Sequence, residues 1–183
     1  MDALDLLLNR SSQPRLQEPA PKGEVLENIM QAALRAPDHA CLTPWRFVVC
    51  TGQGLDRLGD IYQQAAKIAG KPKEDIDRAV QLPQRAPMVI VAICQYSEHP
   101  KVPRVEQIAS TACAVQAMQM TALAQGFGGV WRTGGYAFDE HVKQAFSMKE
   151  NDELVGFLYL GTPMTKPLAK PQRDSETFFE HWS

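Results

Sequence analysis

Residues 103–125, PRVEQIASTACAVQAMQMTALAQ, carry the longest helical periodicity in the chain, and the glycine-rich run GFGGVWRTGG comes directly after them without a linker. That order constrains the fold more than any other feature. A dinucleotide fingerprint runs strand, glycine loop, helix, so that the pyrophosphate meets a helix N-terminus. Here the helix comes first and a strand begins after it, near Val130. The Rossmann arrangement is excluded on topology, and no GxxxxGK[ST] phosphate loop is present. Gly126 reads as the left-handed residue that closes the helix. Gly128, Gly129, Gly134 and Gly135 bracket a strand bearing Trp131, Arg132 and Thr133. Glycine in such places serves either chain turning or the close approach of a flat ligand to the backbone. The middle of the helix is crowded with small residues, Ala109, Ser110, Ala112, Cys113, Ala114 and Ala117, which let a neighbouring helix axis come close. It is expected to be the buried spine of the fold.

The rest of the chain supplies the partners. Residues 2–9 predict a short helix with Leu4, Leu7 and Leu8 on one face and Asp residues early, as the helix dipole prefers. Pro14 and Pro19 prevent that helix from continuing. A second helix is expected from about Lys22 to Ala36, with Val25, Ile29, Ala32, Ala33 and Ala36 inward and Pro37 as its stop. RFVVCT (46–51) reads as a strand, LDRLGDIYQQAAKIAG as a helix ended by Gly70, and PMVIVAICQ (87–95) as a central strand. FDEHVKQAFSM predicts a short helix and ELVGFLYLGT (153–162) a last strand. The class is α+β, a small and largely antiparallel sheet packed with helices, in one domain over residues 1–183. Pro163, Pro167 and Pro171 make residues 163–183 an extended arm, yet its FFEHW ending is too aromatic for a free tail.

Composition removes several functions. With 19 basic and 21 acidic residues the net charge is −2, so nothing attracts nucleic acid or an anionic membrane in bulk. No apolar run approaches the roughly 20 residues that span a bilayer, and Asp2 and Asp5 sit where a signal peptide carries positive charge. A cytoplasmic location is expected. The four cysteines and four histidines show neither CxxC nor HExxH spacing, so no metal is expected. Cys50, Cys94 and Cys113 read as buried free thiols. A thiol mechanism through Cys41 and His39 has poor geometry, two residues apart on one loop.

Two further stretches bear on function. NRSSQPR places Arg10, Ser11, Ser12 and Arg15 just past a helix end, where guanidinium and hydroxyls suit phosphate oxygens, or simply a polar loop. RAPDHACLTPW places Arg35, Asp38 and His39 between a helix and a strand, where capping and turn chemistry is the plain alternative. Together, the Arg-Ser start, the AP-x-x-x-x-x-x-PW-x-F loop, the QG-x-GG-x-W segment after an Ala-rich helix and LGTP near the end resemble the nitroreductase family of FMN flavoproteins. The resemblance covers Asp2 to about Pro163 and is closest to the short bacterial NAD(P)H nitroreductase type.

The resemblance implies a fold with a long central helix, bound FMN, and NADH or NADPH as co-substrate. It implies hydride passing through flavin N5 to a small electron-poor acceptor, such as a nitroaromatic or quinone, in a ping-pong cycle; no side chain need act as the catalyst. A flavin-binding module without turnover, a sensor or store, is the alternative. By resemblance, Arg10, Ser11 and Ser12 contact the flavin's phosphate, ribityl and pyrimidine atoms, and Trp131, Arg132 and Thr133 lie beside its ring. Arg35 and His39 would reach FMN in the other subunit of a homodimer. Thr121, Ala122, Leu123, Ala124, Gln125 and Gly126 match a nicotinamide-nucleotide region, and Lys166, Lys170 and Arg173 lie where a C-terminal cation meets the phosphate. The chain departs from many relatives at Ser11, where a second Arg is common, and at Asp38, Cys41 and Thr43, where Ser, Asn and Gln are common.

Overall fold

β3 (Met88–Cys94) is buried along its whole length and divides its side chains between two cores. Val89, Val91 and Ile93 point into one core, and Met88, Ile90, Ala92 and Cys94 into the other, as the period of two requires. That double burial is why the sequence reads as a continuous apolar run. The computed structural model describes residues 2–166, 171 and 173–182. β2 (Trp45–Thr51) and β5 (Glu153–Pro163) flank β3, both antiparallel to it. β4 (Gly128–Arg132) pairs antiparallel with β5, and β1 (Leu16–Gln17) adds to the end of β5. All pairings are antiparallel, as expected for the α+β class.

Helices cover both sheet faces. α3 (Gln53–Ile68), α4 (Lys73–Ala79) and α6 (Glu140–Ala145) lie on the side of Leu58, Tyr62 and Phe157. α2 (Glu24–Ala33) and α5 (Arg104–Ala124) lie on the side of Ile29, Val115 and Leu158. α2 is shorter than its apolar pattern, because Arg35 and Ala36 tighten into bonds with the carbonyls of Ala32 and Ala33 before Pro37. A register shift in β5 gives an extra residue opposite Ala92 and Ile93. Leu154 and Phe157 therefore share a face although they are three apart, and Trp131 is drawn against the bulge by donating Nε1–H to the Val155 carbonyl at 3.2 Å.

Two expectations are corrected. α5 is buried on one side only: Thr111, Ala114, Val115, Met118 and Ala122 face inward, while Val105, Ala109 and Cys113 face solvent. Cys113 is thus exposed, whereas Cys50 and Cys94 are buried and burial raises both thiols. β1 was not legible, since a two-residue strand flanked by prolines has no periodicity to show. The leucine face of α1 (Ala3–Asn9) is uncovered within the chain, with Leu8 81% exposed. Phe178, Phe179 and Trp182 are exposed as well, Trp182 at 93%. Among the described residues no helix is long and apolar enough to cross a membrane, and no cluster of three His, Cys, Asp or Glu has metal-binding geometry.

Candidate cofactor site

α1 stops at Arg10, whose backbone turns extended (φ −56°, ψ 138°), and residues 10–17 then run as a strap over the end of the sheet. Several bonds fix the strap. Gln13 N–H donates to the Gly129 carbonyl at 2.9 Å, and Met164 N–H to the Arg15 carbonyl at 3.1 Å. Leu16 pairs with Pro163, and Thr162 Oγ1 donates to the Pro19 carbonyl at 2.9 Å. The strap therefore brings Arg10, Ser11 and Ser12 to β4, which carries Trp131 and Arg132 with Thr133 just beyond. Gln119 of α5 locks the same point, donating Nε2–H to the Gly129 carbonyl at 2.9 Å.

The chemistry of this junction shows in its unsatisfied groups. Buried polar atoms in folded proteins almost always find a partner, and exceptions require a reason. Among the described residues six such side-chain atoms have none, and four of them are Arg10 Nε, Ser11 Oγ, Gln13 Oε1 and Arg132 Nε. All four lie on the strap or on β4. Arg10 Nη2 reaches Ser12 Oγ at 3.2 Å, which holds the guanidinium over the strap. A cation, two hydroxyls and an amide oxygen form a donor-rich set that fits a phosphorylated, hydroxylated ligand. FMN is such a ligand, and the residues present suit it. Gln13 had no signal in the sequence; it looked like one more polar residue between Ser12 and Pro14.

The glycines divide by cause. A Cβ on Gly128 would run into the Gln13 amide oxygen, Leu16 and Pro163, so this glycine answers to the strap and not to a ligand. A Cβ on Gly134 or Gly135 would meet nothing within 4 Å, which leaves the backbone after Thr133 open to close approach. Arg132 lies with its guanidinium carbon 5.7 Å from the Tyr159 ring centroid, in cation–π range. Residues 121–126 form the last turn of α5 and its stop. Phe127 N–H bonds the Ala122 carbonyl and Gly126 N–H the Leu123 carbonyl, both at 3.0 Å, with Gly126 at φ 86°. Gln125 ties this end to α2, donating to the Val25 carbonyl at 3.2 Å and accepting from Asn28 at 3.0 Å.

Arg35 and His39 are elsewhere. Their loop is lashed to the first half of α5: Ser110 Oγ donates to the Pro37 carbonyl at 2.6 Å, and Thr111 Oγ1 to the Pro44 carbonyl at 3.2 Å. His39 Nδ1 is 2.8 Å from Glu106 Oε2, an exposed pair, and Arg35 is exposed. From Glu106 to Gln119 the helix rises roughly 20 Å at about 1.5 Å per residue. Among the described residues no hydrogen bond or ion pair joins this loop to the strap of the same chain. The loop is also strained, with Ala40, Cys41 and Thr43 at φ 62°, 53° and 48°, and the Asp38 carboxylate holds it by accepting from Leu42 N–H and Thr43 N–H. Cys41 is exposed and His39 bonds Glu106 instead, so the two do not form a pair. Lys166 and Arg173 are exposed in the tail, and Lys170 lies outside the described residues.

Fold and junction together define an α+β chain with a polar, cation-bearing cradle at the joined ends of β4 and β5. The profile of the Nitroreductase family matches residues 8–162. The chain is 51% identical over 166 residues to "Putative NAD(P)H nitroreductase YdjA" of Escherichia coli (strain K12), covering 91% of each protein. In fold it is similar to the nitroreductase-like family protein of Bacillus cereus, with a TM-score of 0.82, 23% identity, and coverage of 100% of this chain and 96% of that one. It is also similar in fold to the NADPH:FMN oxidoreductase of Vibrio harveyi complexed with NAD+, with a TM-score of 0.74, 20% identity, and coverage of 97% and 76%. The protein belongs to the nitroreductase family, a family of oxidoreductases.

Proposed function

We propose that the protein is a cytoplasmic, homodimeric FMN enzyme that passes hydride from NADH or NADPH to a small electron-poor acceptor, such as a nitroaromatic or quinone. The observation that carries this reading is the set of unpartnered buried atoms on the strap and β4. The names of the Escherichia coli and Vibrio harveyi proteins agree with it. Bound FMN supplies the hydride chemistry.

The chain supplies position and charge. Arg10, Ser11 and Ser12 hold the phosphate and neighbouring polar groups, with the guanidinium as a fork-shaped donor. Trp131, braced by the Val155 carbonyl, sets the level of β4, and Arg132 and Thr133 flank the ring beside the open backbone at Gly134 and Gly135. Arg10 and Arg132 would supply positive charge that favours the reduced, anionic cofactor. Residues 121–126 stop α5 and deliver β4 to the site, and the nicotinamide role suggested by resemblance belongs to the surface they share.

The dimer reading has independent support. The exposed faces of α1 and α5, and Phe178, Phe179 and Trp182, are apolar surface that one chain leaves uncovered. The strained loop presents Arg35 and His39 to solvent, as expected if it completes the neighbour's FMN site. Loading purified protein with FMN and following NADH and NADPH oxidation with a nitroaromatic acceptor tests the function. Flavin-dependent turnover is expected. A module that only stores or senses flavin would take up FMN and leave both nucleotides unoxidised.

A further inference from the structure

One cleft adjoins the cofactor cradle, sharing Arg132, Thr133 and Gly134 with it, and extends past it to Tyr62 and Arg85. It encloses about 350 Å³, near the lower end of ligand-pocket volumes. Tyr62, Tyr136, Phe157 and Tyr159 form its aromatic walls, Arg85 and Arg132 are its cations, and no Asp or Glu lines it. Tyr62 is 1% exposed, yet its hydroxyl has no hydrogen-bond partner. That ring cannot turn away. It stacks on Tyr136 with centroids 4.2 Å apart and meets Phe157 edge-on at 5.4 Å. The Tyr62 hydroxyl adjoins that of Tyr159 on the wall of this positive, aromatic space.

The electrostatics agree with the geometry. Burial raises the Tyr159 phenol, and the Arg132 and Arg85 guanidiniums oppose that rise, so both cations act on this space. Burial raises Tyr62 further, which keeps its hydroxyl protonated. Two other clefts lack the combination. In the larger one, about 540 Å³, Lys71 and Arg78 are balanced by Asp75 and Asp139. The one beside β2 has Arg46 and Arg57 but a single aromatic, Phe146, whose carbonyl Arg46 Nη2 bonds at 2.5 Å.

We propose that the cleft walled by Tyr62, Tyr136 and Tyr159 is an acceptor subsite for an aromatic carboxylate, with its ring against the tyrosines and its anionic group between Arg85 and Arg132. Calling the ligand an acceptor rests on the oxidoreductase reading; its binding does not. Selectivity then comes from charge, because a neutral isostere keeps one acceptor oxygen but forfeits the charge-assisted bonds to the two guanidiniums.

Calorimetry on FMN-loaded protein with benzoate and benzamide, neither of them reducible here, tests the binding. Benzoate is expected to bind about tenfold more tightly than benzamide. Arg85→Gln is expected to bring the two ligands within about twofold, and Tyr62→Phe to weaken both, while FMN content stays unchanged in each. Equal binding to the unaltered protein, or a benzoate preference kept in Arg85→Gln, overturns the proposal. A parallel assay compares 4-nitrobenzoate with 4-nitrobenzamide as acceptors. If neither is reduced while the benzoate preference holds, the acceptor role fails and the anion subsite stands.

Discussion

The strap and the loop are both polar segments that come after a helix, yet they end in opposite states. On the strap, Arg10 Nε, Ser11 Oγ and Gln13 Oε1 are buried without partners. On the loop, His39 is paired with Glu106 in solvent, and the Asp38 carboxylate satisfies the turn. A buried group left unsatisfied costs about 1–3 kcal/mol, so the strap carries a penalty that a ligand in the same chain relieves. The loop has no such penalty. Its strain, at three non-glycine residues with positive φ, is instead compatible with presenting Arg35 and His39 outward. In the proposed dimer, the strap would be the half of the site that its own chain's ligand completes, and the loop the half offered to the neighbour.

The largest expected effect comes from displacing the strap. In Gly128→Ala the new methyl meets the Gln13 amide oxygen, lies 2.8 Å from Leu16 Cδ2 and 3.0 Å from Pro163 Cγ. Overpacking of this kind costs about 1–3 kcal/mol. Thermal melts should drop and FMN uptake should fall with them; an unchanged melting temperature would show that the strap yields freely. Arg10→Ala acts on the ligand alone. Its loss is expected at roughly 1.5–3 kcal/mol in FMN binding, with the melt of the cofactor-free protein unaltered. Equal FMN affinity in a fluorescence titration would remove Arg10 from the cradle.

A smaller effect reads the tyrosines beside the strap half through pH. The folded-state Tyr62 phenol is held above the unfolded value of about 10 by burial, so folding favours its neutral form. Below that pH both states are protonated and stability is fully present. Above it the unfolded chain releases a proton that the folded chain keeps, and stability falls as pH rises. Tyr62→Phe should flatten part of this alkaline decline in melts; an identical slope would contradict the assignment. The smallest effect belongs to the loop. His39→Ala breaks an exposed pair and should change stability by no more than about 0.5 kcal/mol. FMN affinity of the dimer should nevertheless fall several-fold, and a titration that showed no change would take His39 out of the site.

Much of this arrangement was legible wherever a residue's role is written into local order. Pro14, Gly70 and Gly126 mark stops, the run from Met88 to Cys94 announces a strand buried on both faces, and helix-before-glycine rules out a nucleotide loop. The Arg-Ser start and the Trp-Arg-Thr segment were legible as site candidates, but not as neighbours. Their junction depends on Gln13 meeting Gly129 across more than half the chain. The same holds for Leu16 and Gln17, which become a strand only because β5 offers an edge. Tyr62 and Arg85 gave no signal either, since a tyrosine on an amphipathic helix and an arginine before a strand look like core and surface. Cys113 was misplaced because a small residue on an Ala-rich helix fits either face.

The most direct test of the divided site is to mix two defective chains. One carries Arg10→Ala with an intact loop; the other carries Arg35→Ala and His39→Ala with an intact strap. Each alone should bind FMN weakly. If the strap of one subunit works with the loop of its partner, subunit exchange should restore about a quarter of the wild-type tight sites, one in each mixed dimer. Recovery near that fraction, read by flavin absorbance after gel filtration, is the predicted result. No recovery in demonstrably mixed dimers would contradict it and return both halves of the site to a single chain.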